Sequence, residues 1–252
     1  MGRARLLFLV GVSNSATMEL RFIIEKMRNR FSVASRLEGT AWNPKVMELP
    51  PGERFLVISP HPDDDAVGCG GSIIKLVDAG KEVRVVYLSM QEGDFTAEHR
   101  RQEIARAIER LGVKDHKLHE MPFPSGREAA KIIAGELSYG YDAVLVPSPF
   151  ENHDHHLRAF EACAEALRAG GERPDVIMYE VWGALMPNLL IPISDVMERK
   201  VDAIKEHGTQ CADIDYERVS RGMNSYRAAT SALDGYAEAF MHMPASTLLK
   251  LF

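Results

Sequence analysis

The sequence predicts an α/β fold, a doubly wound and mostly parallel sheet flanked by helices. Short apolar runs such as Phe55-Leu56-Val57-Ile58 and Ala143-Val144-Leu145-Val146 alternate with longer amphipathic segments, the pattern of successive βαβ units. The runs end in Pro- or Gly-containing turns, as buried strands feeding loops and helices do. With 252 residues, 46% hydrophobic and 26% charged, the chain can bury a sizeable core and has an ordinary globular composition. Right-handed crossovers between such units wind the sheet in both directions.

Residues 1–53 read as an N-terminal extension, helical over 1–30 and turn-rich over 31–53, where Asn43-Pro44 and Pro50-Pro51-Gly52 occur. The main domain is expected over 54–252. Phe55–Ser59 is its first strand, followed by a helix over Ala66–Ala79 that Gly80 ends. Glu82–Met90 is the second strand, Ala97–Leu111 a charged amphipathic helix closed by Gly112, and Lys117–Met121 a short third strand. A helix over Arg127–Leu137, a strand over Tyr141–Pro147, a helix over His156–Ala169 before Gly170-Gly171, and a strand over Asp175–Val181 follow. The remainder reads as mostly helical, over Ile193–His207 and around Glu217–Thr230. The apolar stretch Leu185–Ile193 reads as a lid or a subunit contact, and a homo-oligomer is compatible with the latter.

A formal net charge of −6 argues against a nucleic-acid footprint. Cys69, Cys163 and Cys211 are far apart and form no Cys-x-x-Cys pair, so neither a disulfide framework nor a structural zinc site is expected. No run approaches the ~18–20 apolar residues of a membrane span. Met1–Arg5 before Leu6–Val12 has the outline of a signal peptide, but that core is at the short end of the ~7–15 residues expected. An amphipathic pattern over Met18–Met27 follows it, and a cytoplasmic location is the expectation.

The chemistry concentrates in two clusters. His61-Pro62-Asp63-Asp64-Asp65 follows the first strand, and Asn152-His153-Asp154-His155-His156 follows the Tyr141–Pro147 strand. Alone, the first reads as turn and helix-cap chemistry, and the second as a solvated loop. Both stand at strand–loop–helix junctions, at the carboxyl ends where open α/β sheets bind ligands. His61 and Asp64 are spaced to turn toward one point, and Asp63 between them could act as a general base toward water. His153 and His156, three apart at a helix start, can share one face. Two imidazoles and a carboxylate suit Zn²⁺, and equally Fe²⁺. Gly68, Gly70 and Gly71 lack the dinucleotide-binding spacing and read as close helix–sheet packing. Glu92, Asp94, Trp182 and Tyr226 are further pocket candidates without a motif; Trp182 and Tyr179 could stack on a sugar ring or belong to the core.

His61-Pro62-Asp63-Asp64-Asp65 resembles the His-Pro-Asp-Asp-Glu signature of the PIG-L/LmbE-like deacetylases, metal-dependent N-acetylglucosaminyl deacetylases with a Rossmann-like core. Pro147–His156 resembles the family's second motif, His-Pro-Asp-His or a variant. Arg100-x-x-Glu103 resembles a pocket-lining Arg-x-x-Glu helix, and Gly235–Phe240 is similar to a C-terminal segment of many members. The resemblance implies His61 and Asp64 as metal ligands and Asp63 as the general base. It makes the first residue of the second motif an assistant at the oxyanion or leaving group, and the last His the third ligand. Here that motif is irregular. Two histidines three apart make His153 the assistant and His156 the ligand; an Asp directly before the ligand makes Asn152 the first position and His155 the ligand. The register of the following helix favours His156. Asp65 stands in place of the family's Glu as a hydrogen-bonding support, with Arg100 and His155 as substrate-binding or supporting residues. The implied protein is a zinc-dependent N-deacetylase of an N-acetylglucosamine-containing small molecule or glycoconjugate, with Fe²⁺ or another divalent metal as the alternative ion. Hydrolysis of another N-acyl conjugate, or a non-catalytic sugar-binding module, are the alternative functions.

Overall fold

A computed structural model of the chain describes residues 44–90, 97–212 and 214–251. The helix expected over 1–30, and Glu92 and Asp94, lie outside the described residues. The strands are β1 (Lys45–Val46), β2 (Arg54–Ser59), β3 (Glu82–Tyr87), β4 (Asp115–Leu118), β5 (Ala143–Pro147), β6 (Asp175–Tyr179), β7 (Leu189–Pro192) and β8 (Ala237–Pro244). The helices are α1 (Asp64–Asp78), α2 (Ala97–Leu111), α3 (Gly126–Leu137), α4 (Asp154–Ala169), α5 (Met197–Glu206), α6 (Gly208–Cys211), α7 (Tyr216–Ala229) and α8 (Ala245–Leu251).

These strands form one sheet in the order β4-β3-β2-β5-β6-β8-β7-β1. β8 runs antiparallel to both neighbours, and the other described pairs are parallel. The central strands are buried on both faces: Phe55, Leu56, Val57 and Ile58 are all inaccessible to solvent, as expected where helices cover a parallel sheet. Val57 lies opposite Val85 of β3 and Leu145 of β5. Phe55, Val57, Val85 and Leu145 share a core cluster with Ile73 of α1, Ile104 of α2 and Val201 of α5. From β2 the chain winds outward to β3 and β4, then returns to β5 on the other side of β2. The loops after β2 and β5 therefore open a crevice at the switch point, where doubly wound sheets place their sites.

Three departures from the sequence expectation have physical causes. The stretch Leu185–Ile193 contributes a strand to the sheet. Its Leu189–Pro192 is β7, paired with β1 and β8, and Leu189, Leu190 and Ile191 are buried. A short apolar run carries no period to announce a strand. The C-terminal remainder holds the two expected helices, as α5 and α7, but also β8, which lies between β6 and β7; Glu238 interrupts its apolar pattern yet is fully buried. Finally, α1 and α4 begin at Asp64 and Asp154, two residues earlier than expected, because acids in a first turn suit the positive end of a helix.

Gly80 and Gly112 close α1 and α2 at φ of 77° and 76°, the left-handed conformation that favours glycine. Within α1 the glycines serve approach. A Cβ at Gly68 would lie 2.4 Å from Cδ2 of Tyr179, and one at Gly71 would lie 2.8 Å from Cγ2 of Ile193. The Tyr179 ring cannot easily yield, since its hydroxyl donates to the Ile58 carbonyl at 2.8 Å and the residue is fully buried. Gly68→Ala is expected to lower unfolding free energy by about 1–3 kcal/mol, the usual range for overpacking. Urea denaturation checks this; an unchanged midpoint would show that Tyr179 moves aside freely.

Candidate metal centre

The first loop is pinned by its own backbone. Ser59, the last residue of β2, donates its hydroxyl to the His61 carbonyl at 2.6 Å and accepts from the Asp65 amide at 3.1 Å. Ser89 donates to the Pro60 carbonyl at 2.7 Å. This tight turn sets His61 above the end of β2 and Asp64 in the first turn of α1. After β5 the chain reaches α4, which His153 caps by accepting the His155 amide at Nδ1, at 3.2 Å. His155 and His156 fall in the first turn of that helix and face the first loop.

Asp64 lies between two imidazoles. Its Oδ2 is 3.0 Å from His61 Nδ1 and accepts the His61 amide at 2.9 Å. Its Oδ1 is 3.1 Å from His156 Nε2. His156 Nε2 is buried and makes no hydrogen bond of good geometry. Donor atoms of His61, Asp64 and His156, all buried residues, lie within 4.8 Å of one another. A second set, His61, His153 and His155, meets the same distance but is only partly buried. The orphaned nitrogen and the convergence of two imidazoles with one carboxylate fit a divalent cation.

The flanking groups distinguish the two sets. His156 Nδ1 is 3.0 Å from Glu151 Oε2, and a carboxylate behind a ligating imidazole fixes its tautomer and raises its basicity. Glu151 is itself held by the amides of Val181 at 2.7 Å, Trp182 at 3.0 Å and Gly183 at 3.3 Å. His155 Nδ1 instead contacts His61 Nε2 at 2.9 Å, and its ring stacks on Phe123 with centroids 4.3 Å apart. His155 thus packs at the mouth, while His156 is built into the interior.

Asp63 is raised to about 6 by burial and by the neighbouring Asp64 charge. Burial and the nearby Asp63 and Asp64 charges push the Tyr216 hydroxyl up. Asp64 is held below the usual carboxylate range: burial opposes its charge, but His156 and His61 outweigh that effect. His156 is raised to about 10, since Asp64 and Glu151 on either side overcome the burial that would lower it. Burial pushes His155 down to about 4, with His61 and His153 adding to the effect. Burial also lowers His153, and the His156 and His61 charges act the same way. Asp65, pushed up to about 7 by burial, accepts from the Tyr87 hydroxyl at 2.9 Å and lies 3.4 Å from the Ser59 hydroxyl.

The structure therefore brings together His61, Asp63, Asp64, His153, His155 and His156, with Asp65 directly behind them. Arg100 is not a surface arginine; it is 8% exposed on α2. With the Gln210 carboxamide oxygen turned toward it, its two terminal nitrogens donate at 2.5 and 3.0 Å. Glu103, one helical turn on, accepts from the Thr209 amide and hydroxyl at 2.8 and 2.6 Å. Tyr179 belongs to the core, whereas Trp182 is 39% exposed, its ring edge-on to Tyr216. The sequence reading missed Glu151, Tyr216 and Phe123. Glu151 carried a signal, an acid beside a histidine cluster; Tyr216 and Phe123 are remote in sequence and carried none.

Residues 56–167 match the model of the family PIG-L, GlcNAc-PI de-N-acetylase. The chain is similar to the diacetylchitobiose deacetylase of Thermococcus kodakarensis, at 31% identity over 227 residues that cover 76% of this chain and 84% of that protein. It resembles the structure of N,N'-diacetylchitobiose deacetylase from Pyrococcus horikoshii at a TM-score of 0.70 and 26% identity, over 89% of this chain and 94% of that one. The 4-carboxy-2-hydroxymuconate hydratase GalB of Pseudomonas putida shares the fold alone, at a TM-score of 0.61 and 21% identity, over 75% of this chain and 96% of that one.

His156→Ala is expected to abolish stoichiometric retention of a divalent metal after dialysis, whereas His155→Ala retains it. Elemental analysis of the two variants reads the difference directly, and the opposite result would move the third ligand to His155.

Proposed function

We propose a function for this chain on one premise: it belongs to the PIG-L family and is a deacetylase. In this reading the site hydrolyses the N-acetyl group of an N-acetylglucosamine-containing small molecule or glycoconjugate. The observation that carries it is the buried His61, Asp64 and His156 set with the Asp63 carboxylate beside it. His61, Asp64 and His156 would hold a divalent ion, and we assign zinc, to which two imidazoles and a carboxylate are suited. Bound there, the ion supplies Lewis acidity and a lowered pKa for water.

The chain's own residues do the rest. Asp63 takes a proton from the water that attacks the acetamide carbon. Its burial and the Asp64 charge raise its basicity. As the tetrahedral centre collapses, the C–N bond breaks, the new C–O bond remains, and acetate and a free amine result. The proton on Asp63 is available to the departing nitrogen. His153 supports the oxyanion in its neutral form, not as the cation. Burial and nearby imidazoles disfavour its charge, and Nδ1 already accepts the His155 amide. The proton of a neutral ring must then sit on Nε2, leaving one N–H donor for the site. Asp65 steadies Asp64 through Ser59 and Tyr87, and Arg100 on α2 is the candidate for contact with a sugar hydroxyl.

A cytoplasmic location accompanies this reading, supported by Cys69, Cys163 and Cys211, all free thiols. Among the described residues, no helix is long and apolar enough to cross a membrane.

Zinc-loaded protein is expected to release free amine from N-acetylglucosamine or N,N'-diacetylchitobiose, and chelated protein is not. A metal-replete sample that releases none from either would refute the substrate class. Asp63→Ala should keep its metal and lose about 10²–10⁴-fold in kcat, the range for a removed general base; unaltered turnover would exclude Asp63 from that role.

A further inference from the structure

Helix α1 is two helices joined at a break. Cys69 inside it has φ −143° and ψ 19°, outside the helical region. The first piece is a single turn from Asp64, closed by the Val67 amide on the Asp63 carbonyl at 3.0 Å. A break of this kind frees the amides that begin the second piece. Those amides do not go unpaired. Glu238, the second residue of β8, accepts the Gly71 amide on one oxygen and the Ser72 amide on the other, both at 2.8 Å, and the Ser72 hydroxyl at 2.6 Å. With Cys69 as the turning residue, Gly71 and Ser72 are the positions that an N-cap side chain satisfies. Here the cap comes from another element, 166 residues away in sequence.

The Glu238 carboxylate is fully buried and its charge is balanced by Lys200 of α5, also fully buried, whose Nζ donates to it at 2.6 Å and to Asn224 Oδ1 at 3.0 Å. The Lys200 stem passes over the break: a Cβ at Gly70 would lie 3.4 Å from Lys200 Cγ. β8, α5 and α7 thus converge on the one point where α1 changes direction, a few residues from Asp64.

We propose that Glu238, with Lys200 as its counterion, is a positioning residue for the metal centre: by capping the second half of α1 it sets the angle at which the first turn presents Asp64. The inference rests on the metal reading above, but its site is the buried ion pair, which touches neither metal nor substrate. Loss of the cap relaxes the break and lets Asp64 drift from His61 and His156. A pair serving stability alone would leave metal affinity untouched in any variant that stays folded.

The test is zinc affinity of the full chain, read by competition with a chromophoric chelator, with melting temperature measured alongside. The charge-neutral double variant Glu238→Gln/Lys200→Met avoids stranding a buried charge. It is expected to bind zinc about tenfold more weakly, the low end of what groups outside the ligand set contribute. Leu248→Ala, in the fully buried part of α8, should lower the melting temperature and leave zinc affinity within about twofold of wild type on the same scale. Should the double variant not fold, Ser72→Ala removes one of the four hydrogen bonds to Glu238 without exposing a charge, and a smaller loss of affinity in the same direction is expected. Wild-type affinity in the folded Glu238 or Ser72 variant, or a loss in Leu248→Ala that tracks its melting temperature, overturns the proposal. Failure of the unsubstituted chain to bind zinc would instead overturn the metal reading on which it stands.

Discussion

The functional end of this molecule depends on one buried carboxylate facing two imidazoles. Asp64 is nearly inaccessible to solvent, with His61 on one oxygen and His156 on the other. An isolated charge in such a place would be strongly unfavourable, so the surroundings must supply the compensation that water cannot. Here they do so through groups that also impose direction. The His61 amide fixes one oxygen, and Glu151 fixes His156 from behind. A rigid, partly satisfied set with one nitrogen left over is what a cation can complete.

The same constraint explains why so much polarity is buried around the crevice. Asp65 is turned away from the centre and held by Tyr87 and Ser59, so it supports the loop without competing for the ion. Glu151 gathers consecutive amides after β6 while holding His156, which couples the end of that strand to the α4 histidines. Glu238 and Lys200 do similar work behind α1. Buried ion pairs are weak contributors to net stability; their effect here is to fix geometry at a break in a helix. Function on this fold resides in such local arrangements and not in the sheet itself. A hydratase shares the sheet at 21% identity.

Much of the fold and half of the site were legible in the chain. The βαβ alternation through β6, the glycine helix ends, and the two clusters at the ends of β2 and β5 follow from local rules, because apolar period, turn chemistry and the chirality of crossovers act over a few residues. So did the choice of His61, Asp63 and Asp64, since the tight turn after β2 leaves them few directions. Strands β1, β7 and β8 were not legible: two residues, a short apolar run, and a run broken by a glutamate look like loop or helix until a neighbouring strand pairs with them.

What the sequence by itself determined was the topology of the switch point and the residue types gathered there. Helix register only favoured His156 over His155, and the tertiary structure gave the two their different surroundings. They are adjacent in sequence and identical in chemistry, and differ only because one faces Asp64 and Glu151 inside the crevice while the other stacks on Phe123 at its mouth. Tyr216, Glu238 and Lys200 were likewise decided by the fold. Their significance lies in contacts across long sequence separations, and no local period or propensity encodes which distant groups will meet.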